Sequence, residues 1–166
     1  MDIFSDIFRV AKVTIDEINK PEGFVKGDEF EAYIRSHILV KDRYYLLHRT
    51  HDYRTNKDDF VENSKEPDFK FRAIKTGMEF FVEAKYRSEY HDNAIEWCKL
   101  FQFKRYKEID KKVPVFITLG VGKESNSPGQ IFFIPLKDIK YTKLFRSFLK
   151  DYEISVNSPL DYRFLK

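Results

Sequence analysis

Two aromatic-rich runs separated by three residues constrain this chain more than any other feature. Glu66-Pro67-Asp68-Phe69-Lys70-Phe71-Arg72-Ala73-Ile74 is followed by Lys75-Thr76-Gly77, then by Met78-Glu79-Phe80-Phe81-Val82-Glu83-Ala84-Lys85-Tyr86-Arg87. The pattern predicts an antiparallel hairpin closed by a tight, glycine-containing turn. Side chains alternate along a strand, so Met78, Phe80, Val82, Ala84 and Tyr86 share one face. Glu79, Phe81, Glu83, Lys85 and Arg87 share the other. Glu83 and Lys85 therefore point the same way, about 7 Å apart along the strand. The hairpin also folds Asp68, at the start of the first strand, back towards the end of the second. Two carboxylates and one ammonium converge at one end of a sheet.

The residue types limit the chemistry. Carboxylate oxygens are hard ligands that suit magnesium or manganese rather than zinc. An ion held by Asp68 and Glu83 would keep positions open for water and for a phosphate. Such an ion acidifies its water and stabilises charge during in-line attack on a phosphoryl group. Lys85 could position or deprotonate that water, or neutralise the developing charge. The alternative is a plain Glu83–Lys85 ion pair on a solvated sheet face.

Pro67-Asp68, followed by Glu83-Ala84-Lys85 at the end of the next strand, resembles the signature of the PD-(D/E)xK nuclease superfamily. That group includes many restriction endonucleases, recombination exonucleases and junction resolvases. Its pattern is an acidic residue on a preceding helix, an Asp opening one strand and a Glu-x-Lys closing the next. The resemblance spans roughly Lys26 to Leu136. It implies an α/β chain with a restriction-endonuclease-like mixed central sheet flanked by helices. It implies that Asp68 and Glu83 hold Mg2+ or Mn2+ with Glu31 assisting, while Lys85 activates water or stabilises the transition state. Gln102 and Tyr106 resemble the Gln-x-x-x-Tyr motif of the exonuclease branch, which lies on the helix after the Glu-x-Lys strand. There they would orient phosphate or metal-bound water. The implied reaction is phosphodiester hydrolysis in nucleic acid, with DNA the expected polymer. A noncatalytic binding module that retains the fold is the alternative.

Composition sets outer limits. A chain of 166 residues with 42% hydrophobic content can bury one core and reads as a single domain. Its expected parts are an N-terminal helix (1–25), a core (26–136) and a C-terminal helix and tail (137–166). The net charge of +3 permits a nucleic-acid partner without demanding one. The single cysteine, Cys98, excludes an internal disulfide and four-cysteine zinc or iron–sulfur sites. That usage fits a reducing, cytoplasmic setting. No apolar run is long enough to cross a bilayer, and Asp2 and Asp6 interrupt the N-terminus, so neither membrane span nor secretory signal is expected. A homodimer is left open.

The remaining elements follow from periodicity. Ile3–Ile18 reads as an amphipathic helix ending before Pro21-Glu22-Gly23. A second helix is expected after Gly27-Asp28 and through Leu39, burying Phe30, Ile34, His37 and Ile38. Glu31, three residues after Asp28, reads equally well as half of a capping box. Arg43–Arg49 reads as the first core strand, followed by a polar loop over Thr50–Ser64. His37, His48 and His51 match no zinc spacing. A helical pattern runs from Asn93 to Lys112, with Ile95, Cys98, Gln102, Tyr106 and Ile109 on one face. Gln102 there needs a partner, because an unpaired buried amide costs about 1–3 kcal/mol. Val113–Val121 reads as a central strand covered on both faces. Gln130–Leu136 reads as a strand that Pro135 ends or confines to an edge. Thr142–Asp151 reads as a last helix, and the tail from Glu153 covers either the core or a partner.

Overall fold

The computed structural model describes residues 21–50 and 65–166. The helix expected over Ile3–Ile18 and most of the loop after Thr50, His51 included, lie outside the described residues. In chain order the elements begin with α1 (Glu22–Tyr33), β1 (Tyr44–Arg49), β2 (Phe69–Ala73) and β3 (Glu79–Arg87). β4 (Ala94–Glu96), α2 (Leu100–Asp110), β5 (Val115–Val121) and β6 (Gln130–Pro135) follow. β7 (Lys143–Phe145), α3 (Arg146–Leu149) and β8 (Glu153–Ile154) are the last strands and α-helix among the described residues.

The hairpin forms as its alternation requires. β2 and β3 pair antiparallel with Phe69 opposite Val82 and Arg72 opposite Glu79. Gly77 turns the chain at φ 73°, in the left-handed region that a side chain resists. β3 then pairs in parallel with β5, and every residue of β5 is buried. A parallel neighbour needs a crossover, and α2 supplies it. The sheet is six-stranded and mixed, in the order β1-β2-β3-β5-β6-β8.

The two faces of β3 separate as the sequence demands. Phe80 and Val82 join Phe30, Ile34 and Ile38 beneath α1, while Phe81 joins Tyr106, Ile117 and Leu119 beneath α2. Burying a side chain of this size contributes roughly 1.5–3 kcal/mol. Gly120 lets α1 approach: a Cβ there would stand 2.3 Å from the Phe30 ring. Gly120→Ala should therefore destabilise the fold by about 1–3 kcal/mol, read as a lower urea midpoint, because the buried ring has no room to retreat.

Several expectations are corrected. α1 starts at Glu22 behind Pro21, so Asp28 lies inside the helix and cannot cap it. The chain then widens into a π-turn over Ile34–Ile38, closed by a 2.7 Å bond from the Leu39 N–H to the Ile34 carbonyl. The added residue rotates His37 out to solvent, and Tyr33 takes the buried place. Residues 93–99 are not helical. Asp92 and Asn93 both take positive φ and close a tight turn, with His91 and Ala94 exchanging backbone bonds of 2.9 and 3.0 Å. β4 then pairs with β7, so Ile95 and Cys98 reach the core from extended chain rather than from a helix. That pairing also takes Lys143–Phe145 out of the expected last helix, which shortens to Arg146–Leu149. Pro135 ends β6, but β6 is no edge, because β8 pairs beyond it. The tail covers the core: Leu160 and Leu165 are buried, and the Leu160 N–H donates to the Ile38 carbonyl at 2.9 Å.

Candidate active site

The β2–β3 pairing stops at Phe69 and Val82, so among the described residues Glu83–Arg87 have β5 on one side and no strand on the other. Into that notch opens a cleft of about 610 Å3, lined from one side by α1 and from the other by α2. The side chain of Asp68 replaces the missing strand. Its Oδ2 accepts from the Ala84 N–H at 2.8 Å, and its own N–H donates to Glu83 Oε2 at 3.3 Å. Register therefore locks the two acids against each other.

Glu83 is 1% exposed, and four donors surround it. Lys85 Nζ lies 2.5 Å from Oε1, and Gln102 Nε2 donates to the same oxygen at 3.2 Å. Tyr106 Oη donates to Oε2 at 2.7 Å, and the Asp68 N–H shares that oxygen. A buried carboxylate is tolerable only with such compensation. Gln102 and Tyr106, one turn apart on α2, also bond to each other at 3.0 Å, which supplies the partner that Gln102 requires. Glu31 reaches the cleft from α1 and accepts from Arg49 Nη2 at 3.1 Å. All six residues singled out in the sequence thus line one cleft.

The electrostatics are those of crowded acids. Burial, then the charges of Glu83 and Glu31, push the Asp68 carboxyl well above its ordinary value. Burial also raises Glu31, although Arg49 pulls it back. Burial pulls the Lys85 ammonium down, but Glu83 and Asp68 outweigh it and hold that group above its ordinary value. Burial and the same two acids push the Tyr106 hydroxyl up, so it remains a donor.

Arg49 and Arg105 also line the cleft and were not singled out in the sequence. Arg105 follows Gln102 by three residues, so helical spacing already placed it near the site. Its guanidinium lies 5.6 Å from the Tyr106 ring centre, with Nε buried and unbonded among the described residues. Nothing local marks Arg49, whose position depends on the pairing of its strand with Phe69.

A solved structure with the same architecture is that of Hjc from Archaeoglobus fulgidus, a Holliday junction resolvase from an archaeal hyperthermophile. The likeness covers 78% of this chain and 91% of that one, with a TM-score of 0.53 and 14% identity. The chain has a restriction-endonuclease-like mixed α/β fold. No protein-family model matches the sequence, and no curated protein does. Within this fold Glu83, Ala84 and Lys85 lie on β3, Asp68 stands immediately before β2, and the cleft is the notch between them.

The donor set suits an oxygen-preferring divalent ion. Asp68 Oδ2 holds the Ala84 N–H, which leaves Oδ1 without a hydrogen bond among the described residues. Burial first, and then the neighbouring acids, raise the Asp68 and Glu31 carboxyls, and a cation between them would favour their ionised forms. No three His, Cys, Asp or Glu side chains among the described residues enclose an ion by themselves. Magnesium and manganese keep water and substrate oxygens in their coordination sphere and so need few protein ligands. Glu83 would offer Oε1, the oxygen that Lys85 and Gln102 share.

Proposed function

We propose that the protein is a nuclease that hydrolyses phosphodiester bonds in nucleic acid, most readily DNA, with Mg2+ or Mn2+ held by Asp68 and Glu83 and assisted by Glu31. The observation that carries this reading is the lock between Asp68 and the Glu83–Lys85 pair across the β2–β3 notch. A bound divalent ion would supply an acidified water and charge neutralisation at the scissile phosphate. Gln102 and Tyr106 fix the Glu83 carboxylate from behind, so it cannot swing away from the cleft. Lys85, once released from Glu83, faces the cleft with a mobile ammonium that can orient the attacking water or stabilise the charged phosphorane. Arg105 and Arg49 offer guanidinium groups to the flanking phosphates.

The test is cleavage of labelled DNA and RNA, single- and double-stranded, with magnesium, manganese or chelator. Cleavage that requires the metal and falls roughly 10²-fold or more in Lys85→Ala is expected. Metal-independent turnover, or binding without turnover that Lys85→Ala leaves unchanged, would remove the proposal. A second readout needs no substrate. Manganese should raise the Tm, and the rise should shrink on acidification through a range above the ordinary carboxyl value of 3.8, because Asp68 must lose its proton to bind the ion.

A further inference from the structure

Away from the cleft, one face combines exposed rings with cations that form no salt bridge among the described residues. Tyr141 is 72% exposed and Phe145 53%, with Leu100 beside them at 60%. Two adjoining grooves, of about 460 and 630 Å3, share Lys140, Tyr141, Lys143 and Phe145. Apolar surface of this kind on a charged protein marks a binding site more often than chance.

The charge around it is mainly positive. Lys137, Lys140, Lys143, Arg146 and Lys150 recur every three or four residues, and all are exposed. None forms a salt bridge with a described residue, whereas Lys99 and Lys111 elsewhere are each paired to a glutamate. Asp138, the acid within that run, accepts from Tyr152 Oη at 3.1 Å. Lys143 Nζ stands 5.8 Å from the Phe145 ring centre, so cation and ring present together.

The platform is tied to the catalytic cleft. Trp97, fully buried, donates from Nε1 to the Tyr141 carbonyl at 3.2 Å and from its N–H to the Thr142 carbonyl at 3.0 Å. Three residues on, the first turn of α2 borders both regions: Leu100 lines the groove with Tyr141, and Phe101 lines the cleft. Phe101 is itself 69% exposed. Exposed rings therefore lead from the notch around the start of α2 to Tyr141 and Phe145.

We infer that this face binds a single-stranded segment of nucleic acid, its bases stacking on Tyr141 and Phe145 and its phosphates meeting Lys140, Lys143 and Arg146. The inference rests on the nuclease reading only for the destination of the strand. Flat rings flanked by cations without a salt bridge among the described residues match what an unpaired polynucleotide offers, a π-face and a phosphate per residue. A duplex hides its base faces, so it could use only the charge. A second copy of this chain would set one group of five cations against another, which opposes self-association through this face.

The experiment uses the full chain carrying Asp68→Asn, to suppress turnover, and fluorescence anisotropy with a labelled oligothymidylate and a labelled blunt duplex. Tyr141→Ala and Phe145→Ala should each weaken the single strand roughly tenfold while leaving the duplex unchanged. Lys140→Gln with Lys143→Gln should flatten the salt dependence of single-strand binding. Both rings are exposed, and circular dichroism checks that each variant is folded. Unchanged single-strand affinity, equal losses on duplex and single strand, or a dimer that dissociates in the ring variants would each overturn the inference. An acidic peptide that competes while oligothymidylate does not would also overturn it. Stacking-dependent binding, with no nuclease activity in the chain that retains Asp68, would leave the platform standing and remove the proposed reaction. Cleavage with unaltered binding would do the reverse.

Discussion

Asp68→Asn should abolish metal-dependent cleavage, by roughly 10³-fold or more, and at the same time raise the Tm of the metal-free protein. The two effects share one cause. Burial and the neighbouring Glu83 and Glu31 raise the Asp68 pKa in the folded state, so ionised Asp68 costs stability at neutral pH. That cost is absent below the unfolded value near 3.8, where the group is protonated in both states, and grows as pH climbs through the folded pKa. Asparagine keeps an oxygen for the Ala84 N–H and removes the charge. A gain of about 1 kcal/mol, or roughly 2–4 °C in Tm for a chain of this size, is expected at neutral pH. The gain should vanish towards the ordinary carboxyl value, and manganese should no longer raise the Tm. A variant that is inactive and less stable at neutral pH would mean that Asp68 is a structural residue, which contradicts the site proposed here.

The parts of this site that were legible in the sequence depend on short-range geometry. Asp68, Glu83 and Lys85 sit on two strands joined by three residues, so alternation and the turn nearly determine their meeting. Gln102 and Tyr106 are one helical turn apart, and their distance from each other survives any error in where the helix begins. The start of that helix was not legible, because Ile95 and Cys98 fall at helical spacing from Gln102 although they lie on extended chain. The competing signal was Asp92-Asn93, a pair suited to a turn with two positive φ angles. β4 is held by β7, a strand too short to declare itself and nearly fifty residues away in the chain. The burial of His37 failed for a similar reason, since one inserted residue in a π-turn shifts every later side chain around the axis. Arg49 enters the cleft through strand register alone. Long-range pairing, rather than composition or propensity, is what the sequence withheld.

The opposite sign is expected at Glu83, although it too is a buried carboxylate of the same site. Among the described residues the Asp68 carboxylate has the Ala84 N–H as its hydrogen-bond partner besides the nearby lysine charge, whereas Glu83 meets Lys85, Gln102, Tyr106 and the Asp68 N–H together. In Glu83→Gln an amide nitrogen must turn towards donors, and the Lys85 ammonium loses its partner while only 24% exposed. The expected cost is about 3 kcal/mol in urea denaturation, together with loss of cleavage. Because Lys85 is raised above 10.5 in the folded state by Glu83 and Asp68, the pair stabilises at neutral pH and weakens only above that value, so the penalty should persist from pH 6 to 9, roughly constant across it. Adding Lys85→Met to Glu83→Gln should recover part of the stability but none of the activity, since it removes the stranded charge without restoring the carboxylate. Additive losses in that double variant would show that the ammonium and the carboxylate do not compensate each other, and the site would then owe its order to backbone register and not to the pair at its centre.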